Sequence, residues 1–165
     1  MGAAGAVMSR RLFVPEDLLD RAAELSASFD WLGWDARIAE QGTTIDRPKG
    51  SVHPDFPHVI YPIDYGYVNG TMSTDGEEMD VFLGTAEARR LVGIELCRDV
   101  RKSADEIRLV YACTRSEVYL VHGFMNFAPT RLQCVFAPRP QRVVSSAEDI
   151  LGASSRDPLG GTELQ

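Results

Sequence analysis

Asp75, Glu77 and Asp80 lie around a glycine turn that leads into an apolar run, in the segment DGEEMDVFL (residues 75–83). Carboxylates at the mouth of a rigid strand converge on one point, as hard divalent cations require. A solvated acidic turn is the alternative, but Asp80 falls inside the strand-like run rather than beyond it. An EF-hand is excluded, because the sixth position of such a loop is Asp80 and not glycine. The spacing therefore predicts a divalent-metal site.

A short basic segment, IDRPKGS (residues 45–51), offers ligands for phosphate. Arg47 carries a fork-shaped cation and Lys49 a point charge, and both are common phosphate ligands. The GxxxxGK[ST] spacing of a P-loop is absent. Two interpretations stay open here: a phosphate-binding turn, and a turn whose cations face solvent.

Tyrosines and a later charged pair extend the set of candidate site residues. Tyr61, Tyr65 and Tyr67 surround proline and glycine in YPIDYGY, where they either fill a core or present hydroxyls to a site. Glu106 and Arg108 are two apart in a strand-like run, so they share a face. A plain cross-strand ion pair is the alternative for these two. The three histidines show no zinc-binding spacing.

The hydrophobic pattern predicts helices first and a sheet afterwards. Proline and acids at residues 14–17 favour a helix start, an apolar stripe near the 3.6 period continues to residue 29, and residues 30–41 form a second short helix. A third helix is expected at 115–124, and residues 138–165 resemble a tail in composition. Short apolar runs among turn residues predict strands at 43–46, 59–61, 65–69, 79–83, 91–97, 107–113 and 131–136. Several short strands with few helices indicate a small barrel with helical decoration.

Length and charge limit the class of protein. The chain has 165 residues, 44% hydrophobic and 25% charged, with a net charge of −7, which is typical of one soluble globular domain. An acidic chain of this kind does not suit sequence-independent nucleic-acid binding, which needs a basic face. Residues 43–83 hold seven acidic residues against two basic ones. The acidity is therefore concentrated in the segment that carries the candidate site.

The cysteines and the apolar stretches allow a prediction of the cellular compartment. Cys97, Cys113 and Cys134 are widely spaced and form no CxxC pair, so we expect small buried hydrophobes rather than a disulfide framework. No apolar stretch approaches the roughly 18 residues that span a bilayer. The first arginines follow a small apolar run, which is the reverse of a secretory signal. A cytoplasmic protein without membrane contact is expected.

The motifs in their order resemble a known enzyme family. The segments IDRPKGS, YPIDYGY and DGEEMDVFLG are similar to the Asp-Arg, YPxxYGY and acidic motifs of the soluble family I inorganic pyrophosphatases, with most likeness to a small divergent branch. The specific match covers about residues 43–83 and extends more weakly to about 137. The resemblance implies an α+β, mainly β fold: an OB-like five-stranded barrel (residues 43–137) with flanking helices. Residues 1–42 would be an added N-terminal helical element packed on it, and 138–165 a flexible tail.

The resemblance also assigns roles to residues. Magnesium ligands are implied at Asp75, Asp80, Asp99 and Glu106. Phosphate contacts are implied at Arg47, Tyr65 and Arg108, the last standing where the family has lysine. Lys49 joins them as the second cation of the basic segment. Glu77 would take the proton from the attacking water, and Asp80 and Arg47 complete the implied catalytic group.

The implied function is magnesium-dependent hydrolysis of inorganic pyrophosphate. Enzymes of this type are often oligomeric, so the resemblance also implies a homo-oligomer. An early Glu and Lys of the family have no counterpart in residues 14–41, and a Tyr-Lys pair near the end of the barrel is missing. Two alternatives therefore stay open. One is a catalytically impaired protein of the same fold that acts as a binding module, and the other is a hydrolase for a small organic diphosphate.

Overall fold

A computed structural model describes residues 14–73, 76–101, 104–128 and 131–141. The fold is α+β, with three helices and a six-stranded mixed sheet. The elements in chain order are α1 (Glu16–Ser28), α2 (Trp31–Gln41), β1 (Thr43–Arg47), β2 (Asp64–Val68), β3 (Met79–Leu83), β4 (Leu91–Asp99), β5 (Ala104–Tyr111), α3 (Arg115–Met125) and β6 (Leu132–Pro138). Within these ranges no helix is both long enough and apolar enough to cross a membrane.

Local sequence signals explain where the helices begin. Acidic residues occupy the first turn of α1, where they oppose the positive end of the helix dipole. Asp30 caps α2 by accepting a hydrogen bond of 3.0 Å from the amide of Gly33. Thr114 and Glu117 form a reciprocal capping box at the start of α3. The predicted helices are confirmed to within a few residues, because each helix start is determined by residues that are close together in the sequence.

The sheet has the strand order β1-β2-β3-β5-β4-β6. The β3–β5 pair is parallel and the other neighbours are antiparallel. The expected five-stranded barrel is not what the described residues form, because closure requires hydrogen bonds between the first and last strands. Here β1 pairs with β2, β6 pairs with β4, and the two lie at opposite edges of a six-stranded sheet.

One predicted strand, at residues 59–61, is wrong. Only an isolated bridge between Val52 and Ile60 forms in this part of the chain. Pro54, Pro57 and Pro62 interrupt the segment, and proline cannot donate a ladder hydrogen bond. The segment instead folds as a loop against the sheet.

Alternation along the strands gives the sheet two different faces. Val81 and Leu109 belong to a core with Ile38 of α2, while Phe82 and Val110 belong to a core with Val121 of α3. Neighbouring residues of a strand point to opposite faces. We call these the α1/α2 face and the α3 face. The candidate site lies on the α3 face.

The prediction of three unbridged cysteines is wrong for two of them. Cys97 on β4 and Cys134 on β6 are direct cross-strand partners and form a disulfide. Their proximity depends on strand register, which their separation of 37 residues does not reveal. Cys113 is free and buried, and burial raises the pKa of its thiol to about 12, so it stays protonated.

Helix α1 should stabilise the sheet through one fully buried residue. Leu18 is 0% exposed and packs in a core with Ile94 and Leu96 of β4. We expect Leu18→Ala to lower the free energy of unfolding by about 2–5 kcal/mol, because it leaves a cavity. The adjacent Leu19 is 47% exposed, so Leu19→Ala should change stability by less than about 1 kcal/mol. Urea denaturation followed by circular dichroism measures both, and equal losses would contradict the packing of α1.

Candidate active site

A row of polar side chains crosses the middle of the sheet on the α3 face. Tyr67 of β2 is the direct partner of Asp80 on β3. In the parallel β3–β5 pair, Val81 lies beside Leu109, so Asp80 is brought next to Arg108. The register of three strands thus places a phenol, a carboxylate and a guanidinium side by side.

An acidic cavity of about 390 Å³ opens over this row. Four of the predicted site residues line it: Glu77, Asp80, Glu106 and Arg108. Tyr67, one of the tyrosines that the sequence offered to either a core or a site, lines it too. The other lining residues are ones to which the sequence gave no role, namely Asp46, Ser73, Glu78 and Ile107. Asp46 was within reach of sequence reasoning, because it adjoins Arg47 in the basic segment.

Arg108 is the central cation of the cavity. Its Nε lies 3.5 Å from Asp80 Oδ2 and its Nη2 lies 3.2 Å from Glu106 Oε2. Its Nη1 is buried and has no hydrogen-bond partner among the described residues. Buried polar atoms are normally paired. Arg108 itself lines the cavity, and a guanidinium at a cavity wall is suited to an anionic ligand.

Tyr65 of β2 interacts with the same charged side chains, Asp80 and Arg108. Its phenol lies close enough to interact electrostatically with both. Burial strongly raises the pKa of Tyr65, so the phenol remains neutral and able to donate. Gly66 follows it because β1 runs close behind, and a side chain there would collide with the Thr44 carbonyl. The glycine between the two tyrosines thus lets β1 approach β2.

Of the predicted site residues that the structure describes, four do not line the acidic cavity: Arg47, Lys49, Tyr65 and Asp99. Arg47 ends β1 in an ion pair of 3.6 Å with Asp46, and its charge acts on Tyr61 and His53.

Lys49 and Asp99 have other surroundings, and Asp75 lies outside the described residues. The exposed Lys49 follows β1, and its amide donates a 2.8 Å hydrogen bond to Asp64. Asp99 ends β4 and forms a 3.1 Å ion pair with Arg101. The structure thus brings together half of the implied metal ligands, Asp80 and Glu106, on either side of Arg108.

The donor set of the cavity fits magnesium in its chemistry. Carboxylate oxygens are the hard ligands that Mg²⁺ prefers, and the ion usually takes one or two of them together with phosphate oxygens of a substrate. Asp80 and Glu106 supply two carboxylates at the cavity wall. Among the residues that the structure describes, no three acidic, histidine or cysteine side chains gather into a preformed metal site.

Sequence reasoning missed a buried acid next to this row. Glu95 of β4 is the direct partner of Arg108 and is 0% exposed. Its carboxylate lies 3.1 Å from Nδ1 of His122 on α3. Burial raises the pKa of Glu95, and the hydrogen bond to Glu95 raises the pKa of His122. The sequence signal for this buried acid was its position inside the apolar run LVGIELC, because alternation along the strand directs its side chain into the protein.

A larger cavity of about 830 Å³ lies elsewhere, between the start of α2 and the ends of β4 and β6. Phe29, Trp31, Arg90 and Arg139 are among its lining residues. Arg139 is already engaged with Asp35, at 2.7 Å. None of the predicted site residues lines this cavity, so volume alone does not locate the site.

Comparison with known proteins points to one enzyme class. The chain is 36% identical over 59 residues to an inorganic pyrophosphatase of Haemophilus ducreyi, a match that covers 34% of each chain. The chain thus spans about a third of that curated relative. No family model matches. This partial match confirms the resemblance to inorganic pyrophosphatases, as a resemblance of one segment.

Solved structures of inorganic pyrophosphatases also align with this chain. That of Thermus thermophilus aligns at 15% identity with a TM-score of 0.45, covering 59% of this chain and 81% of the other. That of Helicobacter pylori aligns at 14% identity with a TM-score of 0.41, covering 58% and 81%.

The Glu95–His122 pair should make stability depend on pH. Because the folded state raises the pKa of His122, the stabilisation is complete below its ordinary value of 6.5 and is lost as the pH rises through the raised value. The raised pKa of Glu95 also lowers the free energy of unfolding as the pH rises, beginning at its ordinary value of 4.5. We expect the free energy of unfolding to fall by about 1 kcal/mol as the pH rises above 6.5.

Glu95→Gln should remove this pH dependence, because glutamine neither titrates nor holds a proton on His122. The matched control is Glu40→Gln, at an exposed position of α2. This variant should keep the pH dependence of stability. Urea midpoints at a series of pH values measure the effect. A pH dependence that persists in Glu95→Gln would assign it to another group.

Proposed function

We propose that this chain hydrolyses the phosphoanhydride bond of a diphosphate, either inorganic pyrophosphate or a small organic diphosphate. One observation carries the proposal: Arg108 lines the acidic cavity and is held there between Asp80 and Glu106. Charge that develops on phosphoryl oxygens is best stabilised by such a pre-positioned cation. The partial sequence similarity to inorganic pyrophosphatase supports the same class.

Each residue of the site has a proposed role. Arg108 and Tyr65 donate hydrogen bonds to phosphoryl oxygens, and Arg47 and Lys49 extend the positive charge toward the departing phosphate. Glu77, at the exposed rim of the cavity, accepts the proton of the attacking water. These roles follow the resemblance, and the cavity brings Glu77 and Arg108 to one place.

Magnesium would be held by Asp80 and Glu106, with Asp75 and Asp99 as the remaining proposed ligands. When bound, it supplies Lewis-acid stabilisation of the phosphoryl oxygens. The cavity has five acidic residues in its lining and one arginine. An anionic substrate is repelled by such a surface unless cations accompany it. The proposal therefore requires divalent cations for substrate binding as well as for turnover.

A second candidate function is a binding module without efficient turnover. It is favoured by the position of Asp99, which is paired with Arg101 and does not line the cavity. An enzyme that lacked one of its metal ligands would bind a diphosphate more readily than it hydrolysed it. The cytoplasmic location, the lack of nucleic-acid and membrane partners, the domain bounds and the homo-oligomer remain predictions from the sequence.

Asp80→Asn tests the proposed enzyme directly. Asparagine keeps the size of the side chain but removes the charge that faces Arg108 and the proposed metal, so we expect phosphate release from pyrophosphate with magnesium to fall at least about a hundredfold. Asp20→Asn is the matched control, because Asp20 is exposed on α1 and lies outside the cavity. It should retain full activity.

Three results separate the candidates. Phosphate release by the unmodified protein, lost in Asp80→Asn, supports the enzyme. Magnesium-dependent binding of pyrophosphate without release supports the binding module. Neither binding nor release with magnesium would contradict both. Circular dichroism of each variant checks that the fold is kept.

A further inference from the structure

A second, smaller cavity lies beside the acidic cavity on the α3 face, with a volume of about 110 Å³. We call it the aromatic cavity. It is lined by His53, Tyr61, Tyr65, Phe82, Arg108, Phe124, Met125, Phe127 and Leu132. Apart from Arg108, its walls are aromatic or apolar. The rings and aliphatic side chains of this wall, unlike the Tyr65 hydroxyl, have no role in holding inorganic pyrophosphate, which consists entirely of charged and polar oxygen groups.

The walls of the aromatic cavity are fixed by packing between different elements. The ring centroids of Tyr65 and Phe82 lie 4.7 Å apart, and those of Tyr61 and Phe124 lie 4.9 Å apart. These contacts join β2 to β3 and the loop at residue 61 to α3. Packed interiors normally leave few spaces of this size, because unfilled apolar volume is destabilising. A space that persists between packed rings is therefore suited to an apolar ligand group.

Arg108 connects the two cavities. Of the residues that line them, it is the one common to both. Its guanidinium contacts Asp80 and Glu106 on the acidic side. A phosphate bound to Arg108 thus has oxygens next to the acidic cavity and also next to a ring-lined space. Arg47 adds positive charge on the aromatic side, where it acts on Tyr61 and His53.

We propose that the ligand of this site is an organic diphosphate, in which a small planar or branched apolar group is esterified to one phosphate and occupies the aromatic cavity. An apolar cavity of about 150 Å³ holds benzene, so 110 Å³ admits a group of about one small ring. The inference rests on the proposed function for its chemistry. Water oxygen bonds to the terminal phosphorus, the bridging P–O bond breaks, and the water proton passes to Glu77. The products are the organic monophosphate and inorganic phosphate.

Isothermal titration with two probes tests the inference. Phenyl diphosphate and inorganic pyrophosphate are titrated separately into the full-length protein with magnesium. Because the phenyl group leaves water for the aromatic cavity, we expect phenyl diphosphate to bind at least about tenfold more tightly. Equal affinities, or tighter binding of pyrophosphate, would overturn the inference, and so would the absence of binding by both probes.

Filling the cavity gives a second readout. Leu132→Trp places a larger side chain in the lining and should abolish the preference for phenyl diphosphate while leaving the affinity for pyrophosphate unchanged. Leu120→Trp makes the same change at a position of α3 that is 53% exposed, and it should keep the preference. A preference that survives Leu132→Trp would place the phenyl group elsewhere. If Leu132→Trp does not fold, Leu132→Phe replaces it as the variant that fills the cavity. The affinities of the unmodified protein for the two probes test the inference in either case.

Phosphate release distinguishes this inference from the proposed function. Tight binding of phenyl diphosphate without release of phosphate would contradict the hydrolase and leave the ligand class supported. Release of phosphate from pyrophosphate, with no preference for phenyl diphosphate, would support the hydrolase and overturn the ligand class.

Discussion

The site depends on the burial of one positive charge. A guanidinium inside a protein is stable only when acids and hydrogen-bond acceptors surround it, and Arg108 has Asp80 and Glu106 on either side and Tyr65 beside it. That requirement selects the register of β2, β3 and β5, which brings these side chains onto one face. Glu95, the cross-strand partner of Arg108, is buried there as well, where His122 of α3 pairs with it. The sheet, the third helix and the cavity are thus coupled through one cation.

Features that depend on neighbouring residues were predictable from the sequence. The strand at Met79–Leu83 is observed at its predicted bounds, because an apolar run after a glycine turn is a local signal. Helix α3 was predicted from its apolar pattern and begins at its capping box. The disulfide between Cys97 and Cys134 and the open order of six strands were not predictable in the same way. Both depend on which strands become neighbours, and apolar runs do not specify pairing.

The same distinction applies to the candidate site. Glu77 and Asp80 are close in sequence and line one cavity, as their spacing indicated. Glu106 and Arg108 reach that cavity because β5 pairs with β3; the resemblance implied that they share the site, but not this pairing. Asp99 is found with Arg101 instead. Its assignment depended on the length of the loop between β4 and β5, and such lengths vary more than strands do.

The central claim is that the guanidinium of Arg108 receives a phosphate of a diphosphate. A crystal structure of the protein with magnesium and imidodiphosphate, a non-hydrolysable analogue of pyrophosphate, tests this most directly. We predict a phosphoryl oxygen within about 3 Å of a guanidinium nitrogen of Arg108, with Asp80 and Glu106 facing the bound metal. An analogue seated away from Arg108, for example on the exposed turn at Lys49, would contradict it.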